Sequence, residues 1–161
     1  MSFQSTILFI LVLSGALYDW KSRRIPNWLT FGILFFFLLF NGLYLRSLHG
    51  AINCLLGFFA GVGLLLIPYL FGGMGAGDVK LLGAVGSIVG CKNVLIIFLY
   101  STFCGLVISI IWLLLTPSHL KFLITTGQAL PAIDKKQKIP YGIAIALGTF
   151  LYMIFGLAWF G

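Results

Sequence analysis

The chain has 161 residues, of which 61% are hydrophobic and only 8% charged, and its mean hydropathy is +1.13. A soluble domain of this size has too little interior to bury so much apolar surface, which leaves an integral membrane protein. A net charge of +7 is also typical of nucleic-acid binders, but here the basic residues lie between apolar segments, where they set membrane orientation. We therefore expect this chain to lie in membrane lipid and to bind no nucleic acid.

The first apolar segment, residues 3–18, has the length of a secretory signal peptide. However, no basic residue precedes it, and positive charges follow it at Lys21, Arg23 and Arg24. This order is the reverse of a secretory leader. We predict that the segment is retained as the first membrane span.

Five further apolar segments follow, and a helix needs roughly twenty apolar residues to cross the hydrocarbon core. The predicted spans are 3–18, 28–45, 51–71, 78–91, 94–115 and 139–160. The fourth is short and contains Gly83, Gly86 and Gly90, which is typical of a helix that is tilted, closely packed or partly non-helical. We predict an all-α polytopic membrane protein with about six transmembrane helices, or five if the fourth is re-entrant. Residues 1–161 then form a single membrane-embedded domain.

The basic residues divide unevenly between the two sides of such a bundle. One side collects Lys21, Arg23, Arg24, Lys80, Lys121, Lys135, Lys136 and Lys138. The other side has only Arg46 and Lys92. Because basic loops stay in the cytoplasm, we predict that the first set is cytoplasmic and that both termini lie outside the inner membrane. The longest loop, 116–138, is then a cytoplasmic hairpin or surface helix.

Two of the three acidic residues reach the cytoplasmic face in this topology. Asp19 ends the first span, and Asp78 begins the fourth after spans two and three have taken the chain out and back. Two carboxyls that share a site of low dielectric cannot both ionise readily, so one keeps its proton while the other is ionised. Such a pair can activate water and polarise an amide carbonyl, as in aspartic proteases, with no metal or other cofactor.

Structural interpretations of the acids remain open beside this one. Asp19 is alternatively a solvated juxtamembrane cap, and Asp78 is alternatively an N-cap of the fourth helix, favoured by the helix dipole. Acids within membranes are usually functional, and two of them in so acid-poor a chain favour function. Asp134 lies in the charge run IDKKQK. We interpret it as a solvated loop residue outside the site.

Four glycines precede Asp78, and they allow a peptide backbone to come close to the acids. They are Gly72, Gly73, Gly75 and Gly77. The alternative is a flexible hinge between spans three and four. Lys80 stands two positions after Asp78 and so does not share its helical face. We expect Lys80 to extend toward the lipid headgroups.

The loop after Asp19 reads WKSRRIPNWLTFG. Pro26 ends this loop in a fixed conformation, and Asn27 is well placed to cap the second span. These structural roles explain both residues, so we assign them no chemistry and expect them to hold Asp19 in place.

Three cysteines, Cys54, Cys91 and Cys104, fall in apolar stretches at irregular spacing, and the sequence contains no CxxC pair. This pattern indicates neither a zinc site nor a disulfide framework. We interpret the cysteines as packing residues.

Asp19, the IPN at 25–27 and GAGDVKLLGA at 75–84, in this order, resemble the type IV prepilin peptidase family. This family of GxGD aspartyl membrane proteases includes the archaeal preflagellin peptidases. KIPYGIAIALG, 138–148, is similar to the family's last segment. The resemblance implies that Asp19 and Asp78 are the catalytic aspartates and that Gly75 and Gly77 are the motif glycines. It also implies a prepilin-like protein substrate, whose short basic leader is cut on the cytoplasmic side.

One departure from the family pattern matters. Larger bacterial members carry a cytoplasmic domain with paired CxxC motifs before the first aspartate, associated with N-methylation of the trimmed pilin. Only eighteen residues precede Asp19 in this sequence, and it has no CxxC pair. The resemblance therefore points to the compact, peptidase-only branch without methyltransferase activity.

Other protease classes fit less well. Presenilin-like proteases share GxGD, and Tyr18–Asp19 is similar to their YD, but they have more spans and a PAL motif that this chain lacks. Rhomboid proteases need GxSG, and zinc proteases need HExxH, whereas this chain contains no glutamate. The alternative from another class is a transporter subunit or scaffold with Asp19 and Asp78 on a proton or cation path. No repeat symmetry favours that alternative.

Overall fold

The computed structural model describes residues 3–22, 27–41, 48–72, 74–115 and 141–156. They form six α-helices: α1 (Phe3–Ser22), α2 (Asn27–Leu39), α3 (Leu48–Leu70), α4 (Ala76–Val89), α5 (Cys91–Leu115) and α6 (Tyr141–Leu151). A π-helical turn, Tyr152–Gly156, extends α6. The described ranges contain no strand, which confirms the all-α prediction, and each helix lies on one of the six predicted apolar segments.

Two helix boundaries differ from the prediction in ways that concern the acids. Helix α1 continues past residue 18 to Ser22, so the backbone of Asp19 lies inside the helix. No proline or glycine interrupts the chain there before Pro26, which explains the extra turn. Helix α4 begins two residues earlier than predicted, at Ala76. Pro26, Gly73 and the loop 116–138 with Asp134 lie outside the described residues.

Helix α4 occupies the centre of the bundle and contacts each of the other five helices. It is helical throughout, and every residue from Asp78 to Ile88 except Lys80 is buried. Gly57 of α3 packs directly on Gly86, and Gly61 packs on the backbone at Leu82. These contacts leave no room for a Cβ atom, so the glycines allow α3 and α4 to pack backbone to backbone, as small residues do in membrane bundles. Of the predicted possibilities, close packing is confirmed; the predicted segment 78–91 is helical to Val89, and Gly90 is non-helical.

A tight turn at Gly90 joins α4 to α5. Gly90 has φ +83, a conformation that favours glycine, and its N–H donates to the Gly86 carbonyl at 2.8 Å. The Cys91 N–H at the start of α5 donates to Asn53 Oδ1 of α3 at 3.3 Å. Val94 lies beside Gly86, 3.2 Å from where a Cβ would be. Helices α4 and α5 are therefore joined by a sharp turn centred on Gly90, and whether α4 is a full span or re-entrant stays a prediction.

The outer surface of the bundle is apolar. Large hydrophobic side chains are exposed on the helices, among them Ile10, Phe35, Phe59, Leu99 and Phe103, each at least 60% exposed. In the described part of the chain, α3 and residues Cys91–Ile111 of α5 are long and apolar enough to cross a membrane. The other apolar helices are shorter. An apolar exterior, with glycines where helices pack backbone to backbone, is the arrangement expected for a protein surrounded by lipid.

Candidate active site

Asp78 is a buried carboxylate at the start of the central helix. Only 6% of its surface is exposed. It is the third residue of α4, and its Oδ2 accepts a hydrogen bond from the Gly75 N–H at 3.2 Å. The helix is capped by the backbone of Gly75, which is extended (φ −84, ψ 148). The interpretation of Asp78 as the N-cap is therefore wrong, although its position in the first turn still benefits from the helix dipole.

The glycine turn before α4 is shaped around this carboxylate. Gly72 has φ +76, which lets the chain reverse after α3. A Cβ at Gly75 would lie 3.3 Å from Asp78 Oδ2, closer than most such contacts. A side chain at position 75 would therefore crowd the carboxylate, and its absence leaves one side of Asp78 bounded by backbone alone.

Lys80 connects the Asp78 helix to the start of α2. Its Nζ donates a hydrogen bond to Asn27 Oδ1 at 2.8 Å. The expectation that Lys80 extends toward the lipid headgroups stays a prediction; the structure shows that its ammonium group also makes this specific contact. Asn27 begins α2, as expected for a helix-start residue, but its side-chain oxygen binds Lys80. This contact was not predicted from the sequence, because the two residues are far apart in the chain.

We expect the Lys80–Asn27 hydrogen bond to contribute about 0.5–1 kcal/mol of coupling to the free energy of unfolding, because it is charge-assisted but exposed. Lys80→Met, Asn27→Leu and the double variant form a double-mutant cycle, measured by denaturant unfolding in mixed micelles. Lys92→Met, at an exposed lysine at the start of α5, is the matched control. Additive effects of Lys80→Met and Asn27→Leu would show that the contact does not couple α2 to α4.

Helix α1 runs antiparallel to α4 in a defined register. Leu8 near the start of α1 and Ile88 near the end of α4 line the same cleft. Seven residues further along α1, Gly15 packs on Leu81, whose Cδ1 lies 2.6 Å from where a Cβ at position 15 would be. One further turn leads from Gly15 forward to position 19 on α1, and from Leu81 backward to Asp78 on α4. Residues three or four apart share a helix face, so both positions lie on the faces that meet. The backbone register thus places the two aspartate positions level with each other.

Helices α5 and α6 also reach this level. Asp78 lies twelve residues before Gly90 and Thr102 lies twelve residues after it, so each is about 18 Å from the turn. Tyr141, the first residue of α6, packs on Gly105 of α5. Sequence reasoning gave neither residue a role; the only signal was the position of Tyr141 in the segment KIPYGIAIALG.

Metal-ligating side chains do not gather anywhere in the described ranges: they contain no group of three or more His, Cys, Asp or Glu residues. Cys54, Cys91 and Cys104 are free thiols.

The all-helical bundle and its apolar exterior are those of a membrane-embedded protein. The carboxylate buried behind the glycine turn forms a polar site toward one end of the bundle. The chain belongs to the type IV leader peptidase family, whose sequence model matches residues 6–110. The matched region contains both Asp19 and Asp78 and ends within α5. The family is membrane-associated, in agreement with the apolar helices.

A curated relative extends the comparison to the C-terminal segment. The chain is 28% identical over 156 residues to a prepilin leader peptidase/N-methyltransferase of Xanthomonas campestris pv. campestris. The alignment covers 92% of this chain and 47% of the relative, so the chain spans about half the relative's length. No solved structure matches the chain.

Proposed function

We propose that this protein is a membrane aspartic endopeptidase that removes the short basic leader of prepilin-like proteins. The observation that carries the proposal is the α1–α4 register, which brings positions 19 and 78 level beside the Gly15–Leu81 contact. Family membership gives the reaction class, and the name of the Xanthomonas relative gives the substrate class. In this proposal Asp19 and Asp78 are the catalytic residues, and Gly75 and Gly77 provide access for the peptide.

The proposed chemistry uses one ionised and one protonated carboxyl. The ionised carboxylate takes a proton from water as the water oxygen attacks the scissile carbonyl carbon. The protonated carboxyl donates its proton to the carbonyl oxygen, giving a neutral tetrahedral intermediate. As the C–N bond breaks, the leaving amine takes the proton held by the first carboxyl, and one hydroxyl of the intermediate returns its proton to the second carboxylate, which leaves the new carboxylic acid and restores the pair. The Asp pair supplies both proton transfers.

The charge pattern supports a cytoplasmic position for this chemistry. Lys21, Arg23, Arg24 and Lys80 all lie in sequence near one of the two aspartates, and basic residues are retained on the cytoplasmic side of the inner membrane. We propose that the substrate's apolar helix lies in lipid beside the bundle while its leader stays in the cytoplasm. The scissile bond between them would then meet the Asp78 end of α4.

Cleavage of a prepilin-like substrate by the purified full chain in detergent or lipid tests the function directly. The expected product is the substrate trimmed just before its hydrophobic helix, with the new N-terminus, and any methyl group on it, read by mass spectrometry. Failure to cut any leader from a broad panel of prepilin-like substrates would overturn the peptidase proposal. The proton- or cation-path alternative would then take its place.

The proximity of the two aspartates is tested independently by crosslinking. In a background with Cys54, Cys91 and Cys104 replaced by alanine, we expect Asp19→Cys and Asp78→Cys to be joined by a short bifunctional maleimide. Leu17→Cys with Asp78→Cys is the matched control, because Leu17 is 63% exposed on another face of α1. Equal crosslinking of both pairs, or of neither, would contradict the register.

A further inference from the structure

A cleft of about 160 Å³ opens on the outer surface of the bundle between α1 and α6. Phe9, Val12 and Leu13 line it from α1, and Leu147 and Phe150 are among the residues that line it from α6. Four of these side chains, all except Val12, are between 41% and 51% exposed. The two helices pack on each other, so the cleft is a groove in their joint surface that is open to the surroundings.

The lining of this cleft is apolar. Its polar side chain is Thr149, which is buried and whose hydroxyl donates to the Ile145 carbonyl of the same helix at 2.7 Å. The single hydroxyl hydrogen is therefore used inside α6. What the cleft offers to an occupant is apolar surface alone, so the occupant must itself be apolar.

Helix α6 runs antiparallel to α1 along the cleft. Residues 4–8 of α1 line a second cleft together with residues 152–153. Residues 9–13 of α1 line the first cleft together with residues 146–153. The lining thus moves back along the C-terminal segment as it moves forward along α1, toward the ends of the two helices that lie nearest the aspartate positions.

The cleft is aligned with position 19. Val12 and Asp19 are seven residues apart, or two helical turns, so both positions lie on one face of α1. Along the helix axis, position 19 lies about 9 Å beyond Leu13 and about 15 Å beyond Phe9. A helix that lies in the cleft alongside α1 therefore spans the distance to the aspartate level with roughly six to ten residues.

We propose that the apolar helix of the prepilin-like substrate docks in this α1–α6 cleft, with its residues about six to ten after the scissile bond between the two walls. The inference rests on the proposed function, which supplies the substrate and places its scissile bond at the two aspartates. The substrate helix is the occupant that the alignment favours. Because the leader is cut just before that helix, its first turns must lie alongside the bundle directly beyond the aspartates, where the cleft opens.

Filling the cleft from either wall tests the proposal. Leu13→Trp and Leu147→Trp are expected to raise KM for leader cleavage about tenfold while kcat stays unchanged, because the added rings weaken substrate binding and leave the aspartates in place. Leu56→Trp on α3 is the matched control, since Leu56 is 54% exposed, close to the 51% of Leu13, and lies outside the cleft. The control should keep the wild-type KM. Unchanged KM in both cleft variants, or an equal increase in the control, would overturn the docking site.

Photocrosslinking identifies the occupant directly. Benzoylphenylalanine in place of Phe150 should attach to the substrate helix at about six to ten residues after the scissile bond, as located by mass spectrometry. The same probe in place of Phe59, which is 65% exposed on α3, should attach to lipid. Attachment from position 150 to lipid alone, or to a second copy of the chain, would refute the docking of the substrate helix.

The crosslinking needs no cleavage, so the two proposals fail separately. A protein that crosslinks the substrate helix from position 150 but cuts no leader would keep the docking site and lose the peptidase function. A protein that cuts the leader equally well after the cleft is filled would keep the peptidase function and lose the docking site.

Discussion

Asp78→Asn is expected to lower the rate of leader cleavage by about a thousandfold, which is within the range for loss of acid–base catalysis. Asparagine keeps the size of aspartate and an oxygen that can still accept the Gly75 N–H, so α4 should begin as it does in the wild type. It cannot take or carry the proton that the proposed step needs. Asp19→Asn should have an effect of the same size, because the two carboxyls act as a pair in the proposed mechanism.

Single-turnover cleavage with mass-spectrometric detection of the product measures these rates, and thermal unfolding of each variant checks that it is folded. Asp134→Asn is the control, because Asp134 was assigned to a solvated loop outside the site. This variant is expected to cleave the substrate at the wild-type rate. Cleavage by folded Asp78→Asn at more than a tenth of the wild-type rate would exclude Asp78 from the chemistry.

The second large effect concerns stability. Gly57→Ala is expected to lower the free energy of unfolding by about 3 kcal/mol, the upper part of the range for overpacking. The added methyl group would occupy the space of the Gly86 carbonyl and force α3 away from the central helix. Because α4 contacts every other helix, that separation would disturb packing throughout the bundle.

Gly63→Ala provides a control on the same helix. Gly63 is exposed, with no atom within 4 Å of where its Cβ would be. Alanine there should be neutral or stabilising by about 0.5–1 kcal/mol, through its higher helix propensity. Unfolding of both variants by denaturing detergent in mixed micelles gives the comparison, and equal losses at positions 57 and 63 would contradict the close packing of α3 on α4.

The helices were predictable because long apolar segments separated by basic or glycine-rich stretches have few alternatives. The glycines of the fourth segment also indicated its close packing. The ends of α1 and α4 were missed by two to four residues, since polar residues such as Asp19 and Lys21 continue a helix as readily as they end one. The number of membrane crossings stays a prediction.

The site was predictable only in part. Topology predicted that Asp19 and Asp78 lie on the same side, but the contact that sets their register, Gly15 on Leu81, depends on how two helices are rotated against each other. For the same reason, the Lys80–Asn27 hydrogen bond and the packing of Tyr141 on Gly105 could not be predicted from the sequence. Each of these contacts joins residues from different helices, and no local pattern in the sequence specifies such pairing.

The shortness of the central helix has a consequence for biogenesis. Helix α4 has 14 residues, or about 21 Å, against a hydrocarbon core of about 30 Å. It also carries Asp78 and Lys80 near one end, so it is poorly suited to insertion as an independent span. Its neighbours must surround it before the carboxylate and the glycine turn take up their places. A chain that is only partly inserted therefore has no formed site. Activity at this site would then indicate that the whole bundle has assembled.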